Sequence, residues 1–163
     1  MLTERPYQRA NVLAYAERWA MKRNPAYLNF DGMGGDCTNF ASQCVFAGSR
    51  VMNFTPELGW YYINGGSRTA SWSGVPFLYN FMVKNNGAGP YAEETDRSQV
   101  EPGDLLQLGD GTGRFYHTLV IVKVTPEELF LAAHTFDAYM RPLSSYSYGA
   151  VRYLHILGVR QNR

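Results

Sequence analysis

The sequence predicts an α+β domain in which N-terminal helices pack on an antiparallel β-sheet. Apolar residues recur at helical spacing within residues 6–23 and 37–47. β-branched runs begin only after Pro102. Those runs follow one another across short turns and do not alternate with helices, which is the order of an antiparallel sheet and not of a doubly wound one.

Taken in order, residues 6–23 read as a helix. Pro6 suits its first turn, Val12, Ala16, Trp19 and Ala20 form a stripe, and Asn24-Pro25 ends it. Residues 26–36 form a loop in which Gly32, Gly34 and Gly35 allow a tight turn or a close backbone approach. Asp36 is placed as an N-cap for the helix 37–47, with Phe40, Cys44 and Ala47 on its buried stripe and Gly48 as its stop. Residues 49–100 are the least regular, with a helix expected over 73–83 and turns over 85–90. Strands are expected at 104–108, 118–124, 129–133 and 151–159, the middle pair forming a hairpin across residues 125–128.

The chain of 163 residues fits one domain, residues 1–163, and can bury a core without a disulfide or metal staple. A net charge of +1 with scattered basic residues gives no reason to expect nucleic acid as a partner. No stretch approaches a membrane span. Residues 1–20 mix charged and apolar residues and lack the apolar core of a signal peptide, so the chain as given is expected in the cytosol, or else as a domain of a longer secreted or cell-wall protein. Aromatics reach 15%, and Trp60, Tyr61, Tyr62 and Trp72 are candidates for lining a peptide or sugar groove.

Two cysteines, Cys37 and Cys44, lie seven residues apart. On a helix this is roughly 10 Å, too far for a disulfide. Cys44, two turns in beside Val45 and Phe46, reads as a small core hydrophobe. Cys37 sits at the helix start, where the dipole favours a thiolate and where its backbone N–H is free to stabilise an oxyanion. Of the three histidines, His117 opens one strand of the expected hairpin and His134 closes the other. In a matched register the two imidazoles meet at one end, although a slip of one residue separates them. His117 is then the general base and acid, and His134 orients it, with Asp137 as the alternative third member. His155, within an apolar strand, reads as structural. No compact zinc motif is present, the glycine loop lacks the Lys and Ser/Thr of a phosphate loop, and no metal or cofactor is expected.

The run GGDCTNFASQCVFAG around Cys37 resembles the nucleophile helix of the bacterial putative amidase family, which is related to the NlpC-type and CHAP cell-wall cysteine peptidases. PGDLLQL (residues 102–108), HTLVIV (117–122) and AAHT (132–135) resemble the strands before, bearing and following the catalytic histidine, and WYYIN (60–64) and the Trp72 segment are similar to that family in particular. The resemblance runs from about Asn11 to Ile156. It implies a papain-like (NlpC-type) fold and cleavage of an amide bond in peptidoglycan peptides or a similar substrate. Asn39 stands where related peptidases often carry Gly, and residues 53–100 are long against the minimal NlpC-type core and are expected to wall the groove. The leading expectation is a cysteine-dependent amidase or peptidase. An acyltransferase with the same Cys-His-His set and a non-catalytic cell-wall or peptide-binding module are the alternatives.

Overall fold

The computed structural model describes all residues, Met1–Arg163. It is α+β, with four helices gathered on one face of a seven-stranded sheet whose pairings are all antiparallel. The helices are α1 (Arg9–Trp19), α2 (Cys37–Ser49), α3 (Ala70–Ser73) and α4 (Val75–Lys84). The large sheet comprises β1 (Leu2–Arg5), β4 (Gly89–Thr95), β5 (Leu105–Gly109), β6 (Phe115–Val124), β7 (Leu129–Ala133), β8 (Ala138–Pro142) and β9 (Ala150–Asn162). A separate ribbon pairs β2 (Tyr62–Asn64) with β3 (Ser67–Arg68). The strand order is β1-β9-β5-β6-β7-β8, with β4 pairing the other side of β9.

The expected hairpin is β6–β7. Strands β1, β4 and β8 lie where the sequence gives weak strand signals. β1 and β4 pair with the longer β9 and β8 pairs with β7, and these ladders offset poor local propensity. Residues 89–90 thus belong to β4 and not to a turn.

β6 explains the two-sided core. Val120 and Val122 face the helices, where they join Leu105, Ala132, Leu154 and the buried stripe of α2. Leu119 and Ile121 face the opposite side and pack with Leu106, Leu108, Leu129 and Leu131. Burial on both faces is why this strand reads as a continuous apolar run. Helix α2 lies at the centre, with eleven of its thirteen residues buried.

Gly48 does not stop α2. The helix runs through it to Ser49 and is capped by Arg50, in the left-handed region at φ 56°. Gly48 is instead where α1 crosses: a Cβ there would lie 2.5 Å from Val12 Cγ2 and 3.0 Å from the Gln8 carbonyl. The Gln8 N–H donates to the Gly48 carbonyl at 2.9 Å across the same contact. Further along, Arg9 donates to Asp104 at 2.9 Å, and Asp104 also accepts from the Ile156 N–H, tying α1 to β9. His155 Nδ1 lies 2.8 Å from the same carboxylate, in keeping with its structural reading. No helix is long and apolar enough to cross a membrane.

Candidate active site

Cys37 is the first residue of α2, so its N–H has no carbonyl one turn earlier within the helix. The preceding loop reaches it through Gly32, Gly34 and Gly35, all at positive φ. The start of α2 is held on β6 by Thr38 and Thr118, whose hydroxyls lie 2.9 Å apart. Thr118 follows His117, so the same contact brings the thiol of Cys37 to the start of β6. Cys37 and His117 open on one cleft of about 300 Å³, with Leu108, Phe136, Arg141 and Tyr146 on its walls.

Burial pushes the Cys37 thiol up, against the opposing influence of the Thr118 backbone N–H and of Thr38. Burial, and secondarily the charge of Arg141, pushes His117 down to about 4. At neutral pH the resting pair is therefore a thiol beside a neutral imidazole. Burial thus works against the thiolate that the helix start is expected to favour.

Asp36 does not cap α2 with its side chain. Its carboxylate turns back and accepts from the Phe30 N–H at 2.8 Å and from Asn39 Nδ2 at 2.9 Å. Its other oxygen lies 2.5 Å from His134 Nδ1. Burial alone would raise the Asp36 carboxyl, but the bonds from His134, Asn39 and Phe30 bring it below the usual carboxylate range. His134 Nε2 faces the Trp19 carbonyl at 2.8 Å, and the ring stacks on Phe40 at 4.0 Å. Both ring nitrogens thus face oxygen acceptors within the fold.

The expected hydrogen bond from His134 to His117 is accordingly absent. Val120 pairs with Ala132 in the β6–β7 ladder, and continuing that register sets Thr118, not His117, opposite His134. The one-residue offset places the two imidazoles on opposite faces of the sheet. Asp137 is also engaged elsewhere: its oxygens accept from Arg23 Nη1 at 2.8 Å and Nη2 at 2.9 Å. Neither residue orients His117 here. No group of His, Cys, Asp and Glu side chains is arranged to hold a metal ion.

The expected aromatic groove is core. Trp60 and Trp72 are fully buried, Tyr62 is nearly so, and only Tyr61 is partly open. Trp72 Nε1 donates to Asn39 Oδ1 at 2.9 Å and Trp60 Nε1 to Ser42 Oγ at 3.1 Å. The Tyr62 hydroxyl accepts from the Leu28 N–H at 2.7 Å. Residues 53–100 supply none of the lining of the Cys37 cleft. They build the core wall behind α2, and a separate depression of about 530 Å³ beside α4 carries neither cysteine nor histidine. Asn39, the departure from Gly, joins three segments through Leu28, Asp36 and Trp72.

The cleft also contains groups that sequence reasoning missed. Arg141 lies in β8 and Tyr146 just after it, in a stretch that carries no motif, and only the fold of β8 brings them to the cleft of Cys37. The β7–β8 turn is itself unusual, since Thr135 and Phe136 both take positive φ, at 58° and 57°. Thr135 Oγ1 accepts from the Asp36 N–H at 2.9 Å, while Phe136 stands 87% exposed at the cleft mouth.

Fold and site together define an α+β domain in which a helix-start thiol and a strand-start imidazole share one cleft. Residues 6–157 match the putative amidase domain family, and the chain belongs to that family. It is 35% identical over 139 residues to the uncharacterized protein YhbB of Bacillus subtilis (strain 168), a match covering 83% of this chain and 43% of that protein. The chain thus spans less than half the length of this relative. No solved structure matches it.

Proposed function

We propose that this chain is a cysteine amidase or peptidase, working as one domain of papain-like (NlpC-type) architecture, that hydrolyses an amide bond in peptidoglycan peptides or a similar peptide substrate. The observation that carries the reading is the opening of Cys37 and His117 on a single cleft. Membership of the putative amidase family supports the amide bond as the target. The resemblance to NlpC-type and CHAP peptidases supports the cell-wall substrate.

In this mechanism His117 takes the thiol proton as sulfur attacks the carbonyl, so that charge develops only along the reaction path. The oxyanion accepts a hydrogen bond from the Cys37 N–H. Collapse of the intermediate breaks the C–N bond, His117 returns the proton to the leaving amine, and a thioester remains on Cys37. Water then adds with His117 again as base, releasing the acid and restoring the thiol. A neutral imidazole is the form this sequence requires.

The test is to incubate the protein and its Cys37→Ala variant with purified peptidoglycan and to read the released fragments by mass spectrometry. Fragments with free carboxyl ends from the unaltered protein alone are the expected result. Equal release by the variant would sink the proposal, and products carrying an added amine would redirect it to acyl transfer.

A further inference from the structure

The cleft beside Cys37 contains one permanent charge that the protein leaves unneutralised. Arg141 is half-buried in its wall. Its Nε donates to Ser145 Oγ at 2.8 Å and its Nη2 to the Ser145 carbonyl at 3.0 Å, and it enters no ion pair. Other half-buried arginines divide: Arg9 pairs with Asp104 and Arg23 with Asp31 and Asp137, whereas Arg152, outside this cleft, also enters no ion pair. The Arg141 guanidinium lies 3.7 Å over the ring of Tyr146. The Tyr146 hydroxyl is the buried side-chain oxygen that no group of the protein satisfies. Arg141 and the ring of Tyr146 line the same cleft, and a guanidinium without a counter-ion is a group that an acceptor-rich ligand completes.

We propose that this cleft binds a carboxylate of the substrate, with Arg141, its guanidinium held over the ring of Tyr146, as the anion-binding residue. The amides attacked at Cys37 are then those with a free carboxylate next to the scissile bond. This rests on the hydrolase reading above, which supplies the position of that bond. A planar guanidinium suits a carboxylate through two parallel hydrogen bonds. The aliphatic part of such a residue has Leu108 and Phe136 for contact, and about 300 Å³ is enough for a short peptide segment. A chemical benefit follows. The imidazole of His117 is held down first by burial and second by the charge of Arg141. A carboxylate on Arg141 offsets the second influence and makes His117 a stronger base once substrate is in place.

Alkylation of Cys37 by iodoacetate and by iodoacetamide tests this on the intact protein, since the reagents differ in a carboxylate against a carboxamide. Rates are taken at Cys37 by peptide mass spectrometry at pH 8.5, and the ratio is normalised to that of 2-mercaptoethanol. The expected ratio favours iodoacetate by about tenfold, as one nearby unpaired cation would produce. Arg141→Gln should bring it close to one, and Arg141→Lys should retain part of it. A normalised ratio near one in the unaltered protein, or a preference that survives Arg141→Gln, overturns the carboxylate site while leaving Cys37 a reactive thiol. If Cys37 takes up neither reagent, the hydrolase reading fails and the inference falls with it. Cys44 is fully buried and labels only in a variant that has opened. For such a variant the Arg141→Lys ratio decides.

Discussion

Asp36 and Cys37 are neighbours in the chain, yet they belong to regions of opposite character. Around Asp36 the Phe30 N–H, Asn39 and His134 all converge on one buried carboxylate, and His134 spends its second nitrogen on Trp19. Around Cys37 the imidazole of His117 lacks its expected partner, Arg141 has no counter-ion and the Tyr146 hydroxyl has no partner. The first region has used its bonding capacity to hold the fold together. The second has bonding capacity to spare, which is the condition for receiving a ligand. Two imidazoles that look interchangeable in sequence are thereby sorted, one into a structural knot and the other into a cleft.

The sharpest way to break this contrast is to exchange the expected consequences. Cys37→Ala should lower amide hydrolysis by about a thousandfold or more, with a melting temperature within about 2 °C of the unaltered protein. Substantial residual turnover would remove Cys37 from the chemistry. In the knot the order reverses. Asp36→Asn or His134→Ala should cost about 3 kcal/mol in urea denaturation, because each leaves a buried partner unsatisfied. If His134→Ala keeps its denaturation midpoint but loses kcat, His134 acts in catalysis after all and the contrast collapses.

Trp72→Phe tests the same division at smaller scale. Loss of the indole N–H leaves Asn39 Oδ1 short of a donor, and about 1–2 kcal/mol of stability should go with it. The Michaelis constant should not change, whereas a groove-lining tryptophan would raise it.

The smallest effects concern pH. The rate constant kcat/KM should fall only as pH drops towards about 4, following His117, and stay level from about pH 5.5 to 8. A limb near the ordinary imidazole value would show that His117 is not held neutral by burial. For stability the signs agree between the regions. His117 in the folded state titrates below its unfolded value, so the unfolded chain binds more protons and stability declines as pH falls from about 6.5 to about 4. Asp36 is also lowered in the folded state, and its contribution is present above the ordinary carboxylate value and lost as pH falls through the lowered one. Asp36→Asn should therefore flatten the acid end of a denaturation-midpoint profile.

Features set by short stretches of chain were legible in the sequence. The helix starting at Cys37, the separation of Cys37 from the core residue Cys44 and the strand opening near His117 all rest on local pattern. What escaped depends on distant partners. Asp36 and His134 are 98 residues apart, and the offset that splits the histidines lies in a ladder register that no turn residue announces. Trp60 and Trp72 could not be told from groove residues, because composition does not reveal which way an indole faces. Arg141 and Tyr146 carry no motif, and their meaning comes only from the cleft they share.

The turn at Thr135 and Phe136 carries a consequence for anyone who would engineer this chain. A left-handed backbone at two successive residues with side chains costs about 1–2 kcal/mol each, and Asn-Gly is the ordinary remedy in a hairpin turn. By thermostability alone this turn is the first candidate for redesign. The replacement would delete the hydroxyl that accepts the Asp36 N–H and the aromatic ring at the cleft mouth. A library selected for heat resistance would thus drift towards a tougher protein with a different entrance, and a library selected for turnover should keep this turn strained.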